Sequence, residues 1–328
     1  MQSLSFMGQL GFRTAAGLLS PAGKRASLLV LIYHRVLAQP DPLLPSEPDA
    51  ARFAAHMDLL ASLFNVLPLT EAATRLRQGS LPARAACITF DDGYTNNLDV
   101  ALPILAARKL PATVFVSTGF IGGGRMWNDT LIEAVRAASG ELDLQSLDLG
   151  VYPLPDMAAR RAAIDALIGK LKYLEPSQRL HKVEEIAGRA GVTLPGNLMM
   201  SDSQIRSLHR GGVEIGAHTI NHPILARLDD DQSRREILDS KKVLEDITGA
   251  AVTSFAYPNG RPVQDYEARH VGIVRSCGFD TAVSTAWGAA AANADLFQLP
   301  RIAPWDRTAT RFAIRMVKAY VDPSAKVV

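Results

Sequence analysis

The chain has 328 residues, room for one large domain or two modest ones. Apolar residues make up 48% of it, so a sizeable core can form. Lys and Arg number 35 against 33 Asp and Glu, a net charge of +2 that gives no electrostatic reason to expect a nucleic-acid partner.

Residues 1–25 are weakly amphipathic, with Leu4, Met7, Leu10, Leu18 and Leu19 available for one helical face. The apolar stretch is too short and polar for a signal-peptide core, and Lys24-Arg25 follows it rather than leading it. No segment approaches the ~20 apolar residues of a membrane span. The expectation for residues 1–27 is a helix packed on the main domain, with a helix lying on a membrane surface as the alternative. The expected protein is cytoplasmic, peripheral at the inner membrane if that helix meets lipid.

Short continuous apolar runs then recur: residues 27–33 (SLLVLIY), 85–90 (AACITF), 112–116 (ATVFV), 213–217 (VEIGA) and 251–256 (AVTSFA). Such runs read as buried parallel strands. Weaker candidates at 281–284 and 297–299 bring the number to seven. Helical periodicity fills 50–64, 97–108 and, most clearly, 230–248, where Gly249 is placed as a C-terminal cap. Alternating strands and helices predict an α/β fold, a distorted (β/α)7 barrel of mostly parallel strands over residues 28–328. Residues 140–200 carry helical patterns at 157–173 and 176–190 and read as a helical insertion over one face. Cys87 and Cys277 read as buried small hydrophobes that the chemistry does not require.

Polar residues gather where these runs end. Asp91-Asp92-Gly93 closes the second run. Neighbours in a strand point to opposite faces, but a glycine next in line lets both carboxylates turn to the barrel mouth. One can then bind a cation while the other handles a proton. His218-Thr219-Ile220-Asn221-His222 follows the fourth run, and Pro223 ends that turn. Two histidines and one carboxylate form a three-ligand set that leaves room for water, as a catalytic metal site does.

Thr89-Phe90-Asp91-Asp92-Gly93 resembles the TFDDG motif of the polysaccharide deacetylases, carbohydrate esterase family four, and HTINH resembles their H-[ST]-x-x-H motif. The resemblance spans roughly residues 28–302. It implies that Asp92, His218 and His222 hold the metal and that Asp91 is the catalytic base. Two further motifs depart from the family. Where it has Arg-x-Pro-Tyr this chain reads Ala256-Tyr257-Pro258-Asn259, which removes the usual orienter of the base and leaves the Asn259 N–H as oxyanion donor. Where Leu-x-His supplies the general acid, Arg301 stands in place of the histidine. Arginine cannot release a proton near neutral pH, but could stabilise negative charge or bind a substrate carboxylate or phosphate. His34, ending the first strand, is the first candidate for the acid. The Tyr33-His34 and Tyr257-Pro258 pairs bring the chain closer to deacetylases of exopolysaccharide synthesis than to cell-wall enzymes.

The resulting expectation is a metal-dependent hydrolase that removes an N-acetyl group from an amino sugar of a bacterial polysaccharide or its precursor. Zn²⁺ is the expected cation, with Fe²⁺, Co²⁺ and Ni²⁺ open to the same ligands. Tyr257, Trp127 and Trp305 are the expected substrate contacts. The alternatives are a deformylase or other amide hydrolase on the same scaffold, an inactive carbohydrate-binding protein, and a non-haem iron oxygenase.

Overall fold

The structure is a computed structural model that describes residues 4–191, 193–322 and 326–328. Its nine strands are β1 (Leu28–Tyr33), β2 (Asn65–Val66), β3 (Ala85–Phe90), β4 (Thr113–Val116), β5 (Glu141–Leu144), β6 (Gly150–Pro153), β7 (Glu214–Ala217), β8 (Ser254–Ala256) and β9 (Thr281–Val283). The main sheet runs in the order β1-β3-β4-β7-β8-β9, every pair parallel, with β2 added beside β3. The curled sheet then closes. Leu299 exchanges hydrogen bonds with Ala282 and Ser284 on one side, and Ile302 pairs with Val30 and Ile32 on the other. The last stave of the expected seven is therefore a pair of single bridges rather than a strand at 297–299. Pro300, which has no N–H to donate, interrupts the ladder there.

Residue parity sets what each strand contributes to the site. Leu28 and Val30 of β1, Ala85 and Cys87 of β3, and Phe115 of β4 share an inner apolar cluster with Leu299. The alternate residues, among them Leu29, Leu31, Ala86 and Ile88, pack outward against the surrounding helices. Continuing the inner series past the strand ends leads to His34, Asp91 and His218, so one rim receives all three. Both cysteines are buried and free.

The helices expected near 50–64, 157–173, 176–190 and 230–248 are present as Ala50–Leu63, Met157–Leu171, Pro176–Ala190 and Asp230–Thr248. Gly249 ends the last at φ 69°. Over residues 97–108 the helix opens with a wide π-type turn, Asn97–Ala101, before Leu102–Ala106. The inserted region holds a feature the apolar-run reading passes over: β5 and β6 form an antiparallel hairpin. Together with helices Trp127–Ala137, Met157–Leu171 and Pro176–Ala190 it builds a separate apolar cluster around Leu131, Leu142, Leu167 and Ile186. Helix Phe6–Leu19 packs beside helices Ala50–Leu63 and Ala309–Val321. No helix among the described residues is long and apolar enough to cross a membrane.

Candidate active site

Backbone geometry delivers the second carboxylate. Parity points Asp91 inward and would point Asp92 outward, but Asp92 adopts a left-handed φ of 76° that turns it back to the rim. Gly93 follows at φ 91°, where a Cβ would sit 2.9 Å from Val116 Cγ1, so only glycine fits. Thr219, His222 and Asn259 also hold left-handed angles of 65°, 50° and 57°. Half of the eight non-glycine left-handed residues described thus lie at this rim, the distribution expected of a site that stores strain for function.

The three expected ligands converge. Donor atoms of Asp92, His218 and His222 all lie within 4.8 Å of one another. The Nε2 atoms of His218 and His222 stand 3.6 and 3.5 Å from Asp92 Oδ1. That oxygen is buried and has no hydrogen-bond partner. The His218 Nδ1 donates to the Ala256 carbonyl at 2.7 Å, which leaves Nε2 as a free lone pair facing the group. Burial holds His218 down to about 4 and His222 well below its ordinary range, so both imidazoles are neutral. Burial also pushes Asp92 up to about 7, with His34 opposing and Asp91 adding to the rise. An orphaned carboxylate oxygen facing two neutral imidazole nitrogens is a donor set that fits a divalent cation.

The loop carrying the histidines is held from behind. Glu236, on helix Asp230–Thr248, accepts the Ile220 and Asn221 N–H groups at 2.9 Å each and the Asn221 amide at 2.7 Å. The Thr219 hydroxyl accepts the His222 N–H at 3.1 Å.

Asp91 has a different environment. Arg301 Nη1 and Nη2 donate to its two oxygens at 2.7 Å each, and Arg301 Nε donates to the Ser284 carbonyl at 2.9 Å. Both partners are almost fully buried. Burial would raise the Asp91 carboxyl, but the charge and hydrogen bonds of Arg301, with His218, outweigh it and hold the group at about 2. Two adjacent carboxylates therefore sit in opposite states, one clamped ionised by a guanidinium and one lacking its counter-charge. Arg301 corrects the sequence expectation: all three nitrogen groups of its head are committed to the protein, so it does not reach for a substrate carboxylate or phosphate. It orients Asp91 instead, supplying from the closing segment what Ala256 cannot.

His34, Asn259 and Trp127 line a cavity of about 280 Å³ together with Asp91, Asp92 and the two histidines. Burial opposes charging of His34, but Asp92, Asp91 and Glu47 outweigh it and raise its pKa. No partner among the described residues takes the Asn259 N–H. Trp305 lies in the adjoining cavity, well exposed. Tyr257 does not belong with them. It shares the outward parity of Phe255, is fully buried, and stacks on Tyr266 with centroids 3.9 Å apart, out of reach of a sugar. Sequence reading misses Lys172, Asn128 and Thr285, which also line the catalytic cavity. Asn128 Oδ1 is buried without a partner. The run Trp127-Asn128-Asp129, polar groups at a helix start, was the available signal for it.

Comparison with known proteins agrees with this geometry. The family model described as polysaccharide deacetylase matches residues 78–150 and 181–282, more than half of the chain. The Bacillus subtilis (strain 168) protein YxkH is 24% identical over 281 residues, covering 85% of this chain and 72% of its own. A poly-beta-1,6-N-acetyl-D-glucosamine N-deacetylase of Staphylococcus aureus (strain MSSA476) is 24% identical over 212 residues, covering 59% and 72%. Among solved structures, the Streptococcus pyogenes deacetylase PplD in complex with acetate superposes with a TM-score of 0.59 at 19% identity, over 89% of this chain and 98% of that one. IcaB from Ammonifex degensii gives 0.58 at 20% identity, over 91% and 98%. These two share the fold. On the extent of the family match, with its motif residues gathered at one rim, the chain belongs to the polysaccharide deacetylase family.

Proposed function

We propose that the protein is a metal-dependent N-deacetylase acting on an amino sugar of a polysaccharide or its precursor. The observation that carries the reading is the pairing of opposites at the rim: unpartnered Asp92 Oδ1 against two neutral imidazoles, beside an Asp91 clamped by Arg301. Asp92, His218 and His222 would hold the cation, with Zn²⁺ favoured by the donor set and Fe²⁺, Co²⁺ or Ni²⁺ able to replace it. Such an ion supplies Lewis acidity that makes water nucleophilic near neutral pH.

The chain's own residues do the rest. Asp91, ionised and fixed in angle by Arg301, accepts a proton from the water that attacks the amide carbonyl. The Asn259 N–H, held at the mouth by its left-handed backbone, donates to the oxygen that gains charge. His34 gives a proton to the departing amine as the C–N bond breaks, and acetate leaves with the oxygen taken from water. Trp127 borders the cavity where the sugar ring would rest.

Release of acetate and of free amine from N-acetylated oligosaccharides, after loading with each of the four metals, tests the reading. Formate is measured in parallel, and Asp91→Asn serves as the inactive control. Formate release would transfer the assignment to a deformylase, and no amine from any substrate would leave a carbohydrate-binding protein.

A further inference from the structure

A second cavity of about 410 Å³ adjoins the catalytic one, and His34, Lys172, Asn259 and Thr285 line both. A glycan with its acetamido sugar in the first cavity therefore continues into the second. That second space is aromatic and cationic. Trp287 and Trp305 border it, with the Arg315 guanidinium 5.6 and 5.7 Å from their ring centroids. Trp305 is 62% exposed, an open face for a sugar ring. The lining holds Lys172, Arg261, Arg301 and Arg315 against one carboxylate, Glu47.

Two of these cations are already matched, Arg301 by Asp91 and Arg315 by Asp306. Lys172 and Arg261 are not: neither makes an ion pair among the described residues. Asp265 acts on both only through space, since its Oδ2 accepts the Arg261 backbone N–H at 3.0 Å. Burial pulls the Lys172 ammonium below its ordinary pKa, with Asp265 opposing and Arg261 assisting. A half-buried ammonium that touches no carboxylate and shares the charge of Asp265 with Arg261, at the junction of two cavities, is costly in the free protein and ready for a negative ligand.

We propose that this cavity is a subsite for an anionic group, a sugar carboxylate or a phosphate, borne by the unit next to the N-acetylated sugar, with Lys172 as its principal contact and Arg261 at its rim. The proposal rests on the deacetylase reading of the neighbouring cavity and makes the substrate an acidic glycan rather than a neutral homopolymer. Three N-acetylated oligosaccharides of equal length test it, one neutral, one with a uronate neighbour and one with a phosphate neighbour. The expected result is a lower KM for one acidic substrate, and an acidic-to-neutral preference that falls about tenfold or more in Lys172→Met. Which acidic substrate is preferred identifies the source of the charge. Titration of the same ligands into chelator-treated protein by calorimetry, with the Asp91–Arg301 pair intact, separates binding from turnover. Binding of an acidic oligosaccharide that Lys172→Met weakens, with no turnover by wild type, would sink the deacetylase reading and keep the subsite. Equal turnover and equal binding of all three substrates would sink the subsite and keep the deacetylase.

A separate observation concerns the outermost helices. Phe6–Leu19 and Ala309–Val321 pack together, and neither contains an Asp or Glu. Surface helices turn polar residues outward, but here Phe6, Met7, Leu10, Leu18 and Ile314 are exposed beside Arg13, Arg311 and Lys318. A second copy on this face would set like charges against each other. An apolar, basic face built on two helices that hold no acid is complementary to anionic headgroups. We infer that it docks on a bilayer surface rich in anionic lipid. Co-sedimentation of the whole chain with phosphatidylglycerol-containing vesicles, compared with pure phosphatidylcholine vesicles, tests this. Selective binding that Phe6→Ser/Leu10→Ser reduces at least tenfold is expected, with an unchanged melting temperature. Equal recovery with both lipids, or a dimer in solution that the same variant dissolves, would overturn it.

Discussion

Arg301 and Asp91 lie 210 residues apart and meet through two parallel hydrogen bonds of 2.7 Å inside the barrel mouth. The pair ties the segment that closes the barrel to the end of β3, and it decides the charge state of one carboxylate while its neighbour is left unpaired. Most of the proposed chemistry depends on that difference.

Arg301→Met leaves Asp91 buried without its counter-charge. Catalytic efficiency should fall at least a hundredfold, and the unfolding free energy by about 3–5 kcal/mol, as for other broken buried pairs. Arg301→Lys keeps the charge but loses the fork that grips both oxygens, so it should rescue little of the activity. The acid limb of the rate profile should move upward in both variants, because Asp91 no longer sits near 2. Wild-type activity in Arg301→Met would remove Asp91 from the role of base.

Cation binding should be visible without any substrate. A ligand that binds only the folded form stabilises it by about 2.7 kcal/mol at a hundred times its Kd. Thermal melts of chelator-treated protein should therefore shift upward on adding Zn²⁺, and the shift should vanish in Asp92→Ala and His222→Ala. A shift that persists in both variants would place the ion elsewhere.

If His34 protonates the leaving amine, His34→Gln should lower kcat by about 10²–10⁴-fold and flatten the alkaline limb of its pH profile. Substrate binding, read as KM, should change much less. An unaltered kcat would leave Asp91 to return its own proton to the amine.

His56 gives a pH dependence unrelated to catalysis. Its ring is buried between Tyr33 and Phe312, and Nε2 lies 3.0 Å from the Asp306 carbonyl. Burial lowers its pKa to about 4 against 6.5 when unfolded. The unfolded chain therefore binds this proton first. The stabilisation is complete above about pH 6.5 and is lost as pH falls towards 4, amounting to about 3 kcal/mol. Urea melts between pH 7 and 4.5 should show this loss on top of that from the other buried histidines His218, His222 and His270, and His56→Phe should remove the His56 share and make the slope shallower. An identical pH slope in that variant would show that other groups carry it.

Much of this architecture can be read from the sequence, because buried parallel strands leave continuous apolar runs and the motif residues sit where those runs stop. The ligand triad was legible for the same reason. The direction in which Arg301 points was not legible, because its partner is a long-range contact and nothing local shows whether a guanidinium at a barrel rim faces substrate or a neighbouring carboxylate. Tyr257 was misread although parity with Phe255 was available to place it in the outer core. The β5–β6 hairpin escaped because its strands are four residues each and partly exposed, so they leave no apolar run. Lys172 escaped because only the packing of the insertion helix brings it beside the site.

The bridges at Leu299 and Ile302 that complete the ring flank the residue that arms the base. On the proposed mechanism, closing the barrel and completing the catalytic site are therefore one event. The elements up to β9 carry the histidines and both aspartates, whereas the group that grips Asp91 and holds it ionised comes from beyond them. Ring closure is thus the step that completes the proposed site, because the guanidinium that aims Asp91 arrives only with the last segment of the barrel.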